Sequence, residues 1–254
     1  MCLINFQLGN HSKYKLIIAA NRDEEYERPT EPAGFWRDDQ HVLAGRDLRG
    51  MGTWLGITKN GRIAALTNIR NQDEILKTNM RTRGQLVSGF LTSHLDAQSY
   101  LKEVQKDIDE YSGFNLIAGS SDTLLYLNNY DKEIVQIDNG IHGLSNHHLD
   151  TPWPKVEKGK ERLSEITRRE EFDIESLFAM LQDEKLADRD QLPDTGLSQD
   201  LEKNLSPMFI NMDKYGTRCS TVVTIDKENN VQFIERTYEQ GKFIGEENHH
   251  FTIN

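Results

Sequence analysis

Short apolar runs bounded by turn residues mark two strand-rich parts of the chain, one at each end. Residues 2–8 and 15–20 are apolar runs separated by a turn, and a second pair, 53–58 and 62–67, flanks Asn60-Gly61. Asn-Gly between two such runs is a strong hairpin signal. We therefore predict antiparallel hairpins here, and further strands at 217–226, 231–238 and 243–253.

Helical periodicity occurs in two separate pairs of segments in the middle of the chain. Residues 83–95 and the stretch after Asp96 repeat apolar positions at helical spacing, and Asp96 is a typical N-cap residue. A second pair is predicted after Pro154 and after Asp173, the latter helix running through residue 181. Runs at 114–119, 123–128, 133–137 and 141–145 predict strands. Residues 184–206 have no sustained period and predict a long loop or lid.

Blocks of strands therefore flank pairs of helices, without the strict alternation of strand and helix that is typical of parallel sheets. This order predicts an α+β fold built in layers, with largely antiparallel sheets. No linker rich in Ser, Gly or Pro divides the chain, so we predict a single domain over residues 1–254.

The amino-acid composition indicates which binding partners to exclude, and it says less about the fold. The chain has 30 Lys and Arg residues against 41 Asp and Glu, a formal net charge of −11. Nucleic acids and anionic membranes need clustered positive charge, so we expect neither as a partner. No apolar run reaches the roughly 18 residues of a membrane span, and the first residues lack the pattern of a signal peptide. Two cysteines make no disulfide framework, so we predict a reduced, cytoplasmic protein. The oligomeric state stays open.

Cys2 is the first candidate for a catalytic residue. Methionine aminopeptidases accept small second residues, so removal of Met1 would leave Cys2 with a free α-amine. An α-amine titrates near about 8, low enough for it to act as the base for the thiol of the same residue. The alternative is that Cys2 is an ordinary small apolar residue of a strand, because free cysteines are usually buried.

The tetrad Asn21-Arg22-Asp23-Glu24 directly follows the second apolar run, at the predicted end of a strand. In that position Arg22 would lower the pKa of a nearby thiol, and Asp23 would hold an N-terminal ammonium group. The alternative is a solvated charged loop, which is the usual setting of such a cluster.

Three further polar residues stand at the ends of apolar runs. Asn68 and Asn146 each follow such a run, and a side-chain amide can donate a hydrogen bond to a developing oxyanion. An asparagine in this position is more often a turn residue, which is the alternative for both. Arg218 precedes the strongest apolar run and would add a second cation to the same pocket, unless it is an exposed charge at a strand end.

Together these segments resemble one protein family. They are the Met-Cys start, the Asn-Arg-Asp-Glu tetrad, Gly-Thr-Trp-Leu-Gly at 52–56, Thr-Asn at 67–68, Gly-Leu-Ser-Asn at 143–146 and Tyr-Gly-Thr-Arg at 215–218. This ordered set spans nearly the whole chain and resembles the NRDE family, also called the transport and Golgi organisation protein family. That family is in turn similar to the N-terminal-nucleophile (Ntn) hydrolases, especially the cysteine acylases that act on penicillin V and conjugated bile salts.

The resemblance implies an αββα four-layer sandwich, the fold of those acylases. It also implies a set of catalytic residues, carried over by motif: Cys2 as the nucleophile, Arg22 and Asp23 beside it, Asn68 and Asn146 as oxyanion donors, and Arg218 as a late cation. The acylases carry no run like Asp23-Glu24-Glu25, which leaves Glu24 to a purpose specific to this family.

Two functions follow as hypotheses. The first is hydrolysis of a non-peptide C–N amide bond in a small-molecule substrate, with Cys2 as the nucleophile. The second, implied by the resemblance, is non-catalytic carriage of an amphipathic ligand such as haem or acyl-CoA, as in haem trafficking. No Cys/His spacing matches a zinc site and no C-x-x-C-H motif is present, so we expect no metal and no resident cofactor. A haem ligand among His142, His147 and Cys2 stays open.

Overall fold

The computed structural model describes residues 2–254, apart from the side chains of Ile75 and Leu76. Met1, whose removal we expect, lies outside the described residues. The strands are β1 Cys2–Leu8, β2 Tyr14–Glu25, β3 Thr30–Phe35, β4 Val42–Asp47, β5 Leu55–Thr58, β6 Ile63–Asn68, β7 Phe114–Gly119, β8 Leu124–Asn128, β9 Val135–Gln136, β10 Gly140–Leu144, β11 Tyr215–Asp226, β12 Asn230–Glu239 and β13 Lys242–Thr252. The helices are α1 Gln72–Leu76, α2 Gly84–Thr92, α3 Ala97–Lys106, α4 Pro154–Thr167, α5 Ile174–Leu181 and α6 Gln199–Asn204.

The strands form two antiparallel sheets. The first sheet has the order β10-β1-β2-β11-β12-β13, and the second has the order β3-β4-β5-β6-β7-β8-β9. The two hairpins predicted from the sequence are confirmed, since β1 pairs with β2 and β5 pairs with β6. In the second hairpin Gly61 has φ +79°, a left-handed conformation that glycine adopts without strain.

The two sheets face each other, and a layer of helices covers the outer face of each. Alternate residues of β1, such as Ile4 and Phe6, point between the sheets and pack in one core with Ile117 of β7. Leu3 points the other way, into a core formed with α4 and α5. The outer face of the second sheet packs against α2 and α3. The expected αββα sandwich with antiparallel sheets is confirmed.

Two predicted helix caps are present and fix where the helices begin. Asp96 accepts a hydrogen bond from the Ser99 backbone at 2.8 Å, and Asp173 accepts one from the Glu175 backbone at 3.0 Å. The helix predicted over 83–95 is shorter, because it ends at Thr92 and the next N–H bonds back to the last turn. Among residues 2–254, no helix is long and apolar enough to cross a membrane.

The strand that carries the tetrad is longer than its apolar run. The apolar run ends at Ala20 and we predicted a strand that ends at Arg22 and Asp23, but β2 continues through Glu25, because β11 pairs with it along its whole length. The exposed fractions are 0% for Asn21, 9% for Arg22 and 1% for Asp23, so the alternative of a solvated loop is wrong. A strand with partners on both sides does not need an apolar sequence to stay ordered, since its backbone groups are already paired.

Residues 184–206 are less irregular than predicted. They contain α6, whose Glu202 is only 2% exposed, and the Glu202 carboxylate pairs with buried Arg70 at 3.2 Å. The segment also lines a cavity of about 530 Å³ beside the start of α4, away from Cys2. A helix of six residues is too short to produce a readable apolar period, which explains why the sequence did not reveal α6 within this long segment.

Candidate active site

Cys2, Arg22 and Cys219 lie in one row across the first sheet. Cys2 of β1 is directly opposite Arg22 of β2, and Arg22 is directly opposite Cys219 of β11. Residues that are opposite each other in paired strands point to the same face of a sheet. All three side chains therefore face the space between the two sheets, with the arginine between the two thiols.

Two neighbouring cavities open on either side of this row. Cys2 lines a cleft of about 290 Å³, together with Asn68. Cys219 lines a cavity of about 180 Å³. Four residues contribute to the walls of both: Arg22, Asp47, Thr53 and Trp54. The two thiols thus face adjoining compartments, and Trp54 of the Gly-Thr-Trp-Leu-Gly motif separates them.

The thiol of Cys2 is 7% exposed, and its environment favours the neutral form. Burial raises the pKa of Cys2, and Asp23 adds to that effect, whereas Arg22 acts in the opposite direction. The lowering that we expected from Arg22 is therefore present but outweighed by burial. The backbone at Cys2 is held by Ser145, whose hydroxyl donates to the Cys2 carbonyl oxygen at 3.1 Å.

Asp23 is buried beneath the cleft, next to Cys2 in space. The Thr217 hydroxyl donates to Asp23 Oδ1 at 2.8 Å, and the Tyr215 hydroxyl donates to the Asp23 carbonyl oxygen at 2.9 Å. Burial raises the pKa of this carboxyl, and the positive charge of Lys155 partly offsets the effect. Lys155 therefore favours the ionised form of Asp23 against the effect of burial.

Lys155 is a functional candidate that the sequence analysis did not single out. It is 3% exposed, and its ammonium group donates to the Leu205 carbonyl oxygen at 3.2 Å. Burial lowers the pKa of Lys155 to about 8, although Asp23 and Cys2 act to raise it. The signal that could have revealed it is its position in the first turn of α4, where the helix dipole disfavours a cation.

Glu24 belongs to a network of charges at the rim of the cleft. Its Oε2 lies 3.8 Å from Arg22 Nη2 and 3.9 Å from Arg28 Nε. Burial opposes ionisation, but the Glu25 backbone N–H and the two arginines hold the pKa of Glu24 below its usual value. Arg28 also binds Asp47, with Nη2 and Oδ2 at 2.6 Å. Glu24 therefore fixes Arg22 in the wall that the two cavities share.

The two asparagines play different parts in the structure. Asn68 ends β6 and lines the Cys2 cleft. Asn146 is fully buried, and its side-chain amide donates to the Asn68 carbonyl oxygen at 2.9 Å. Asn146 thereby ties the loop after β10 to the end of β6, next to the cleft.

Arg218 lies in the neighbouring cavity with Cys219, away from the Cys2 cleft. Its Nη1 donates to three backbone carbonyl oxygens after β2, those of Glu25, Tyr26 and Arg28, at 2.8–3.0 Å. An exposed strand-end charge would not make these bonds. The guanidinium closes the turn that connects β2 to β3.

Cys219 has an acidic neighbour that sequence reasoning did not find. Glu235 of β12 is 3% exposed, and it accepts hydrogen bonds from the Ala33 backbone at 2.8 Å and from Thr221 at 3.2 Å. Burial raises the pKa of Cys219, and the Glu235 carboxylate raises it further. Burial also raises the pKa of Glu235, so the same surroundings shift both groups toward their neutral forms.

The architecture defines the fold class, an αββα sandwich of two antiparallel sheets between layers of helices. The solved structure of the mutant C2A conjugated bile acid hydrolase from Clostridium perfringens has the same fold, with a TM-score of 0.53 over 100% of this chain and 97% of that chain. The two sequences are 8% identical, so this likeness concerns the fold alone.

The chain belongs to the Transport and Golgi organisation 2 (TANGO2) family, whose model matches residues 1–240. It is 39% identical to the Transport and Golgi organization protein 2 homolog of Bos taurus, over 93% of each chain. It is 36% identical to the homolog of Homo sapiens, again over 93% of each chain. The resemblance seen in the sequence motifs is confirmed.

Proposed function

We propose that this protein is a cysteine amidohydrolase of the N-terminal-nucleophile type that cleaves a non-peptide C–N amide bond in a small molecule. One observation carries the proposal: Cys2 opens onto a cleft of about 290 Å³ together with Arg22 and Asn68. The proposal requires removal of Met1, which frees the α-amine of Cys2.

The raised pKa of the Cys2 thiol explains why a base is needed. Burial keeps the thiol neutral, so a base must take its proton as Sγ attacks the carbonyl carbon. The α-amine of Cys2, titrating near about 8, takes this proton. The carbonyl electron pair moves onto oxygen, and the oxyanion accepts a hydrogen bond from the Asn68 amide.

Two further steps complete the reaction, collapse of the tetrahedral intermediate and hydrolysis of the thioester. The C–N bond breaks, and the leaving amine takes the proton from the α-ammonium group of Cys2, which leaves a thioester on Sγ. Water attacks the thioester with the α-amine as base, and the thiolate leaves with that proton, so the acid product departs and the thiol is restored. In this proposal Asp23, whose Oδ1 accepts a hydrogen bond from the Thr217 hydroxyl, holds the ammonium form between these steps.

The remaining candidates act through the backbone in this proposal. Asn146 positions Asn68 through its bond to the Asn68 carbonyl oxygen. Arg218 positions the turn after β2, and Arg22 holds the wall beside the thiol. We therefore assign Asn146 and Arg218 as positioning residues, with Asn68 as the oxyanion donor.

Two experiments test the hydrolase proposal. The intact mass of native-source protein shows whether Met1 is removed, and a mass that includes Met1 contradicts the self-activating base. Wild type, Cys2→Ala and Cys2→Ser are then assayed on a panel of acyl amides, with Cys219→Ala as the matched control. We expect turnover in wild type and in the control, and loss of at least about a hundredfold in both Cys2 variants. Wild-type activity in Cys2→Ala would refute the proposal.

The carrier hypothesis, for haem or acyl-CoA, stays a prediction from the resemblance. His142, one of its candidate iron ligands, binds Asp150 Oδ2 through Nδ1 at 2.7 Å and the Asp138 carbonyl oxygen through Nε2 at 2.9 Å. Both ring nitrogens are thus engaged, and no lone pair is available for a metal in this arrangement. Titration with haem and with acyl-CoA tests the hypothesis, which fails if neither binds saturably. We also propose a cytoplasmic location, supported by two buried cysteines that do not pair.

A further inference from the structure

The Cys2 cleft is rich in arginine, although the chain as a whole is acidic. The net charge is −11, yet four guanidinium groups line this one cleft: Arg22, Arg28, Arg81 and Arg83. The contacts of each arginine show which of these four charges the carboxylates of the protein neutralise.

Three of the four arginines have carboxylate partners. Arg28 pairs with Asp47 at 2.6 Å, and Arg22 lies 3.8 Å from Glu24. Arg81 is exposed, and its Nη1 lies 3.0 Å from Glu110 and 3.3 Å from Asp107. These pairs balance the acidic residues at the rim.

Arg83 is the exception within the described part of the chain, because it forms no ion pair there. Its Nη1 donates to the Gly113 carbonyl oxygen at 3.0 Å, which leaves the other guanidinium N–H groups for a ligand. Burial lowers the pKa of Arg83, and Glu24 and the Cys2 thiol act against this, so the guanidinium lies within electrostatic reach of the thiol. Arg83 is thus a cation near the nucleophile with hydrogen-bond donors to spare.

The backbone around Arg83 is held firmly. Arg83 directly precedes α2, and the Thr53 backbone N–H donates to the Gly84 carbonyl oxygen at 3.2 Å. A Cβ at Gly52 would collide with the backbone of Gly84, so the Gly52-Thr53 segment packs directly against the start of α2. A guanidinium placed in this way can bind an anion without much loss of conformational entropy.

We propose that Arg83 binds an oxyanion of the substrate, so that the Cys2 site acts on N-acyl amides that carry a carboxylate or another oxyanion. This inference rests on the proposed amidohydrolase function. A planar guanidinium with two free N–H donors suits a carboxylate, a sulfonate or a phosphate in a bidentate arrangement. Arg83 is then a specificity-determining residue.

The first test needs no turnover. Cys2 is alkylated with iodoacetate, which is anionic, and with iodoacetamide, which is neutral, and labelling at Cys2 is measured by peptide mass spectrometry. The ratio of the two rates cancels any change in the thiol pKa. We expect Arg83→Gln to lower the iodoacetate-to-iodoacetamide ratio about tenfold, and Arg83→Lys to restore most of it. Arg83→Met replaces the glutamine variant if that variant does not fold.

The matched control is Arg81→Gln, which removes a charge from the same cleft where carboxylates already neutralise it. A ratio that stays within about twofold of wild type in Arg83→Gln refutes the inference. An equal fall in Arg81→Gln also refutes it, because the effect then belongs to the cleft as a whole.

The second test uses two substrates with the same acyl chain, an N-acylglycine and the neutral N-acylethanolamine. We expect wild type to prefer the N-acylglycine, and Arg83→Gln to lose that preference by about tenfold while still hydrolysing the neutral amide. Equal preference in both proteins refutes the inference. If wild type hydrolyses neither amide while the alkylation ratio still falls, the hydrolase proposal fails and the anion site stands.

Discussion

Lys155 provides a direct test of the charge cluster beneath Cys2. Its pKa is about 8 in the folded protein, against an ordinary value of 10.5. At about 1.36 kcal/mol for each pH unit, this depression corresponds to about 3 kcal/mol of folding free energy. We predict that the free energy of unfolding of wild type rises by about this amount with pH, relative to Lys155→Met.

The sign follows from proton binding. Below pH 8, Lys155 is protonated in both the folded and the unfolded chain, and the cost of burying the charge is fully present. Between about pH 8 and 10.5 the folded chain has released the proton and the unfolded chain still holds it, so stability rises with pH. Above this range both states are neutral and the cost is gone.

Urea unfolding of wild type and Lys155→Met from pH 7 to pH 11 measures this effect. Titration of groups that do not interact with Lys155 occurs in both proteins and cancels in the difference between their free energies. Lys158→Met, which removes a partly buried lysine one turn later on α4, is the control for losing one positive charge. A difference between wild type and Lys155→Met that stays constant to about 1 kcal/mol over the whole range would refute the reasoning.

Three other changes give sharp outcomes. Arg70→Leu should lower the free energy of unfolding in urea by about 3 to 5 kcal/mol, because it leaves the Glu202 charge buried and unpaired. The double variant Arg70→Leu/Glu202→Leu should recover most of this loss, and failure to recover it contradicts the ion-pair explanation. Gly52→Ala should cost about 1 to 3 kcal/mol and lower the melting temperature, since its Cβ meets the backbone at the start of α2; an unchanged melting temperature contradicts the close packing. Diamide should form no intramolecular disulfide between Cys2 and Cys219 in the folded protein, because β2 lies between their strands and keeps these strands about 9 to 10 Å apart. The intact mass after treatment checks this, and a loss of two hydrogens from the folded protein contradicts the register.

The features predicted correctly from the sequence depend on short stretches of chain. Asp96 and Asp173 cap helices because a carboxylate meets N–H groups two or three residues later, and this contact needs no distant partner. The Asn60-Gly61 hairpin likewise requires only a backbone turn that glycine can adopt. Local chemistry decides these elements, and the sequence displays it directly.

The features that were missed depend on distant pairing. The length of β2 follows from its partner β11, about 190 residues away, so the apolar run could not show where the strand ends. Lys155 becomes a candidate only when α4 brings it near Asp23, and Arg83 only when α2 places it in the cleft. Six of the candidate residues came from local motifs and the family resemblance, and their roles, like the single domain over residues 1–254, stay predictions.

The order of Asn21 and Arg22 in the tetrad matches the two faces of the first sheet. Asn21 points toward the helical layer, where its amide donates to the Leu181 and Met208 carbonyl oxygens at 2.8 Å each. Arg22, the next residue, points to the opposite face and lines both cavities between the sheets. Side chains alternate along a strand, so a shift of β2 by one residue would exchange these two environments.

Such a shift would be costly on both faces of the sheet. Arg22 would enter the layer of α5, where two backbone carbonyl oxygens now accept hydrogen bonds from the neutral amide of Asn21. Asn21 would enter the wall of the cleft, where its neutral amide would replace the guanidinium that lines both cavities. The polar residues of β2 thus fix the register that brings Cys2 opposite Arg22, and the charge pattern specifies the site and the strand together.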